Sequence, residues 1–263
     1  MNTLYSTQLQ AGLGLIDETL TLLDLWQPGM DAPELQRRAL ASGRFSTVSA
    51  RRIRNIVTEC FKPRYLVDHG TPAARLQQLR TCLGARELEQ LFFLYTCRAN
   101  AILADFVREV YWVTYVSGRD YIENDEARTF VVRAVQDGKT TVSWSDTTIR
   151  RVSGYLISCC ADFGLLERTH RTASRILAYR LAPRTTAYLA YDLHFAGLGD
   201  NSMVEHTDWR LFGREPLDVL DELQHLARRN LWIVQSVAGA SRITWTLNSM
   251  EELFDVFAAD DLR

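Results

Sequence analysis

The stretch from Ser145 to Pro183 narrows the folds open to this chain more than any other. Apolar residues at Ile149, Val152, Leu156, Cys160 and Phe163 recur every three or four positions, one stripe along a helix opened by Ser145 or Asp146 and ended by Gly164. The pattern then changes to Leu165-Leu166, a polar and basic tip, and Ile176, Leu177, Tyr179 and Leu181 before Pro183, which reads as a β-hairpin. Thr147, Thr148, Arg150 and Arg151 face outward on the helix, and Arg168, Arg171 and Arg175 supply the hairpin's bases. A helix that feeds a short basic hairpin is the layout of a winged-helix module, whose helix enters a DNA major groove while the hairpin touches phosphate. Plain packing modules and protein-interaction modules share that order of elements, and order alone does not choose among them.

A second basic unit lies upstream, over about residues 31–66. Asp31 with Glu34 makes a capping-box-like start, Ala32 to Ala41 continue as a short helix, and Ser42-Gly43 ends it. After Phe45, a start at Ser46 or Thr47 opens another helix whose apolar face is Val48, Ile53, Ile56, Val57 and Cys60, with Phe61 and Pro63 closing it. Arg51, Arg52 and Arg54 then face outward, with Arg37, Arg38, Lys62 and Arg64 nearby, so the unit reads as a helix-turn-helix. The alternative is the solvated basic face of an ordinary helical hairpin.

Around these units the chain is helical. Residues 4–26 place Leu9, Leu13, Ile16, Leu20 and Leu23 in helical register, and residues 72–83 and 85–117 follow, with a break near Ala99-Asn100. Asn124 or Asp125 caps a helix that stops at Asp137-Gly138, and Thr186 to Phe195 forms another with Tyr188, Tyr191 and Phe195 on one edge. Leu217 to Arg229, a hairpin over Leu231–Leu247 turning at Ala238-Gly239, and Met250 to Phe257 close the chain. This last run repeats the earlier order: Leu156, Leu165, Leu177 and Leu181 have counterparts in Leu223, Leu231, Ile243 and Leu247. The expected fold is therefore mainly α: a helical bundle with an N-terminal helix-turn-helix, plus winged-helix-like modules that each carry a short β-hairpin. The corresponding domains are residues 1–120, residues 121–200, and a degenerate acidic module over residues 201–263.

Charge follows that division. From Gln36 to Leu66 eight bases face one acid, a local charge of +7, and from Thr147 to Arg184 seven bases face two acids, a local charge of +5. From Arg214 to Arg263 nine acids face five bases, a local charge of −4. Of the 30 basic residues only Lys62 and Lys139 are lysine. Arginine forks suit phosphate and guanine edges, although a GC-rich coding sequence gives the same ratio.

Enzyme chemistry has little support. Gly138-Lys139-Thr140 lacks the first glycine of a phosphate loop, His69, His170, His194, His206 and His225 are scattered, and Asp137 with Lys139 has no second acid to complete a nuclease pair. Cys60, Cys82, Cys97, Cys159 and Cys160 form no CxxC pair. No catalytic residue, metal site or cofactor is expected, and reduced thiols without a secretory start fit the cytoplasm. Leu91 to Val116 is the most apolar region, but Arg98, Asp105, Arg108 and Glu109 exclude a membrane span there.

Several segments together resemble one family. GLGLIDETLTLLDLW (12–26), SARRIRNIVTECFKPRYL (49–66), LFFLYTCRANAILADFVREVYW (91–112), TIRRVSGYLISCCADFGLLE (148–167), AYLAYDLHFAGLGDN (187–201) and SMEELFDV (249–256) resemble the BrxA proteins of BREX bacteriophage-exclusion systems. The resemblance spans nearly the whole chain, with the tips at 169–174 and 202–207 unmatched. It implies a small, non-catalytic, mainly helical protein that binds nucleic acid and serves a multi-subunit phage-defence system. The family's likeness to a helical RNA-binding antitermination protein keeps RNA open beside double-stranded DNA. The other alternative is an adaptor that joins BREX subunits through its acidic C-terminal part and has little DNA affinity.

Overall fold

In a computed structural model, residues 4–7, 14–237 and 240–259 are described. Two compact units divide the chain, one built from Met1–Gln77 and Phe92–Tyr179, the other from Gln78–Leu91 and Arg180–Arg263. The fold is mostly helical with two small antiparallel sheets, as the sequence predicts.

The first unit opens with α1 (Ile16–Leu25), α2 (Ala32–Ala41) and α3 (Ala50–Asn55). The expected helix over 4–26 is therefore shorter. Tyr5 instead forms a parallel bridge with Thr140, donating its backbone N–H to Lys139 O at 2.7 Å and its hydroxyl to Asp105 Oδ2 at 2.6 Å. Leu9 and Leu13 lie outside the described residues. Asp31 caps α2 by accepting from the Glu34 N–H at 2.8 Å, and Phe45 is the buried plug of the following turn. The next helix is capped by Ser49 rather than Ser46 or Thr47. It does not close at Phe61 and Pro63, because α3 runs through a π-helical turn, Ile56–Phe61, into α4 (Lys62–Tyr65). Pro63 sits in the first turn of α4, where a missing N–H costs least, and the wider π turn absorbs the change of register.

The core of this unit gathers on Tyr65, whose ring lies 5.0 Å from Phe61, 6.0 Å from Tyr95 and 6.1 Å from Phe92. α5 (Thr71–Leu79) and α6 (Ala85–Ala99) follow, and both cross the division between units. Asn100 breaks the long helical run as predicted, at φ −134° and ψ 88°, before α7 (Ala101–Phe106), a π turn Val107–Tyr111 and α8 (Trp112–Val116).

A short strand, β1 (Tyr121–Glu123), precedes α9 (Asn124–Gln136). The cap of α9 is Glu123, in a reciprocal box with Glu126, and not Asn124 or Asp125. Asn124 instead ties α9 to the hairpin tip, its N–H donating to Thr172 O at 2.8 Å and its side-chain amide to Arg171 O at 3.0 Å. Next comes α10 (Asp146–Asp162), capped by Ser145 and burying Ile149, Val152, Leu156, Cys159 and Cys160. Gly164, at φ +70°, ends it in the left-handed conformation that glycine adopts freely, and the Leu165 N–H returns to Cys160 O at 2.9 Å. The hairpin β2 (Leu166–Arg168) and β3 (Ala173–Ile176) is joined by β1 on the far side of β3, giving the order β1-β3-β2.

In the second unit, α11 (Pro183–Phe195) is buried from Arg184 to Leu193, so Tyr188 and Tyr191 are core residues. α12 (Asp200–Val204), α13 (Pro216–Ala227), β4 (Trp232–Val237), β5 (Ala240–Trp245) and α14 (Met250–Ala258) complete it. Asp200 steadies β5 by accepting from the Ile243 N–H at 2.9 Å, and Trp232 donates from Nε1 to Leu223 O at 2.8 Å. The expected turn at Ala238-Gly239 lies outside the described residues.

Candidate nucleic-acid interface

The basic side chains singled out in the sequence fall on two surfaces of the first unit. On α10, Thr147, Arg150 and Arg151 are exposed, whereas Thr148 is half-buried with its hydroxyl 3.1 Å from that of Ser145. Burial of the Ile149, Val152, Leu156 stripe forces this outcome, since positions 147, 150, 151 and 154 lie on the opposite face of the helix. Arg151 donates to the Tyr155 hydroxyl at 3.4 Å. The hairpin presents Arg168 and Arg171 at its exposed end, with His170 closing the tip through its N–H to Ala173 O at 3.2 Å. Arg175 stands opposite Glu167 in the β2–β3 register and pairs with it at 2.6 Å. An exposed cross-strand pair of this kind contributes little to stability and yields readily to a competing anion.

The upstream surface is less uniform. Arg37, Arg51, Arg54 and Lys62 are exposed, whereas Arg38 and Arg52 are half-buried. Arg52 lines a cavity of about 370 Å³ with Asp17, Glu18 and Asp162, so acids surround its charge. Arg64 is a correction to the sequence reading. It is 2% exposed, and its guanidinium donates to the Gly14 carbonyl at 3.5 Å, so it braces the chain ahead of α1 and cannot reach a phosphate. The helical stripe places Arg64 only by extrapolation beyond Pro63, and the π turn shifts that register, so its side chain points inward.

Arg128, and the ion-pairing role of Asp146 beside its place at the start of α10, escape sequence reasoning. Arg128 of α9 donates to Asp146 Oδ1 at 2.7 Å, and Arg150 donates to Asp146 Oδ2 at 3.0 Å. Asp146 thus draws the supporting helix and the outward face of α10 into one charge cluster. A separation of 18 residues between Arg128 and Asp146 leaves no local signal; only the packing of α9 on α10 brings them together.

Cys60, Cys97, Cys159 and Cys160 are buried, and Cys82 is half-buried. Burial pushes Cys159 up to about 12 and raises Cys160 well above the ordinary thiol range. Burial also raises Cys60, with the Arg64 and Arg52 charges opposing that shift. Among the described residues no group of three or more His, Cys, Asp or Glu side chains is placed to hold a metal ion, and no helix is long and apolar enough to cross a membrane.

Together these observations define a mainly helical protein that exposes one set of arginines on α9, α10 and the adjoining hairpin and another on α2–α3. A family model matches residues 3–192, and its description is BrxA. The chain therefore belongs to the BrxA family and is a component of a BREX phage-defence system, with the other BREX subunits as its implied partners. A solved structure, that of an uncharacterized protein from Magnetospirillum magneticum, is similar at a TM-score of 0.59 and 14% identity, covering 79% of this chain and 97% of that one. At that identity the likeness concerns the fold. No curated protein matches the chain.

Proposed function

We propose that this chain is a non-catalytic, cytoplasmic accessory protein that binds double-stranded DNA for its BREX system. The observation that carries the reading is the arrangement from α8 to β3. A helix, a short strand, two helices and a hairpin close into a three-stranded sheet ordered β1-β3-β2, the element order of a winged helix. In that reading α10 is the groove-facing helix, offering Thr147, Arg150 and Arg151, and the β2–β3 hairpin is the wing, offering Arg168, Arg171 and Arg175 to phosphate. The helix pair α2–α3, with Arg37, Arg51 and Arg54 exposed, is a second contact surface of helix-turn-helix type. Binding is phosphate-dominated, with weak sequence preference and steep salt dependence.

Titration of the full chain with random-sequence duplex DNA at about 50 and 200 mM salt tests this reading. Binding that weakens steeply with salt supports it, and absence of binding at the lower concentration refutes it. Structured RNA added as competitor ranks duplex DNA against RNA. A specific observation favours the adaptor reading for the second unit. Leu217 on α13 is 77% exposed and lies beside the exposed acids Asp218 and Asp221, a surface that repels phosphate and suits a basic protein partner.

A further inference from the structure

We infer that Asp146 is a specificity-setting residue of the proposed DNA surface, a fixed counter-charge that restrains phosphate-driven binding by engaging Arg128 and Arg150. The inference rests on the DNA-binding reading above. Each carboxylate oxygen accepts from a different guanidinium, at 2.7 and 3.0 Å, and all three side chains are exposed, at 58% for Asp146, 46% for Arg128 and 73% for Arg150. Exposed pairs of this kind stabilise a fold very little, so the carboxylate's main effect is on the local potential. It leaves a net charge of +1 where two arginines alone would present +2.

The position of the cluster gives that effect a direction. Asp146 occupies the first turn of α10, the end of a groove-facing helix that comes nearest to base edges. Arg128 and Arg150 line a cavity of about 230 Å³ with Asn124 and a second acid, Asp125, which forms an ion pair with neither arginine, and Asn124 in turn holds the hairpin tip through the Arg171 carbonyl. A carboxylate at this junction repels phosphate oxygens. It remains able to accept a hydrogen bond from a base amino group, the cytosine N4 group above all. Binding modes that rely on the backbone alone are therefore penalised more than modes that place Asp146 against a base, which is discrimination by a repulsive element.

The test is Asp146→Asn, which keeps the shape of the side chain and removes its charge. Random-sequence duplex is titrated against full-length wild type and variant across a salt series, and thermal melting of each is recorded. The expected result is a gain of affinity. Each arginine released to a phosphate steepens the slope of log K against log salt by about 0.9 and raises affinity at about 0.15 M salt roughly fivefold. Adding Arg128→Ala to Asp146→Asn is expected to remove about half of that steepening. Unchanged or weaker binding by an Asp146→Asn protein that melts like wild type overturns the inference. That outcome, in a wild type that does bind duplex, leaves the DNA-binding reading intact, whereas absence of binding by both proteins overturns both.

Discussion

Charge reversal on the outward face of α10 should separate the two basic surfaces. Arg150→Glu with Arg151→Glu changes two exposed side chains and touches none of the buried stripe of Ile149, Val152 and Leu156. The stability cost is small. A glutamate in place of Arg150 would stand one helical turn from Asp146, a like-charge spacing that costs a few tenths of a kcal/mol, and the lost exposed pair adds at most about 1 kcal/mol. The binding cost is large by comparison. Arg151 loses a full phosphate contact and Arg150, already engaged by Asp146, at most a second, so the slope of log K against log salt becomes shallower by about 0.9 to 1.8 and the wild type's advantage should shrink roughly three- to twelvefold between roughly 50 and 200 mM salt. Fluorescence anisotropy with labelled random duplex measures this directly. Arg51→Glu with Arg54→Glu is the matching pair on α3, preferred to one with Arg52, whose surroundings are acidic. An α10 pair that melts like wild type yet keeps both affinity and slope would refute the assignment of α10 as a DNA-facing helix. Loss confined to the α3 pair would move the interface to α2–α3.

Three further outcomes follow from buried or strained positions. Gly70→Ala should lower the melting temperature sharply, because position 70 has φ +84° and an added Cβ would lie 2.6 Å from the Trp26 ring; a melt within a degree of wild type would contradict this. His194 stacks on Trp245 at 4.2 Å, and its pKa is lowered by burial, with Asp200 opposing the shift. A histidine depressed in the fold contributes stability above its unfolded pKa and loses it as pH falls through the folded pKa. Acidification below about 6.5 should therefore destabilise the second unit and change Trp245 fluorescence, and His194→Phe should flatten both responses. Cys159 and Cys160 should resist thiol-directed alkylation at neutral pH until the protein unfolds, since burial keeps both protonated; rapid labelling of the native protein, read by mass spectrometry, would contradict it.

The parts of the fold legible in the sequence are those with a local cause. The α10 stripe, Gly164 and the alternation beyond it predict a helix and a hairpin because three- to four-residue spacing, a left-handed glycine and turn residues act within a few positions. β1 is not legible, since three residues carry no period and Tyr121–Glu123 become a strand only by pairing with Ala173–Arg175. The N-terminal leucines suggest helix from residue 4, whereas Tyr5 is drawn into a bridge by partners at least 100 positions away. The cap of α9 differs from the expected one for a related reason. Glu123 and Asn124 can both cap, and the choice falls to Glu123 because the hairpin tip claims Asn124. At the candidate interface, sequence supplies the exposed arginines, whereas the burial of Arg64 and the pairing of Arg128 with Asp146 require the packed structure.

The second unit carries a core pattern like that of α10 under a different outward face. When Leu156 is set against Leu223, the buried Val152, Leu156 and Cys159 of α10 coincide with the buried Val219, Leu223 and Leu226 of α13. Outward, Arg150 and Arg151 become Leu217 and Asp218, and Gly154 becomes Asp221. The inward positions answer to packing, which volume and apolarity satisfy; the outward positions answer to whatever approaches the helix. An exposed leucine beside acids favours a partner that pairs an apolar side chain with lysine or arginine. Co-expression with the other subunits of the BREX system, followed by pull-down on this chain, gives that surface a test of its own. Leu217→Asp with Asp218→Arg should abolish an association that the wild type makes, while the duplex titration of the same variant stays at the wild-type value. An association that survives this change would place the protein contact elsewhere, and a loss of duplex binding would show that α13 also faces nucleic acid.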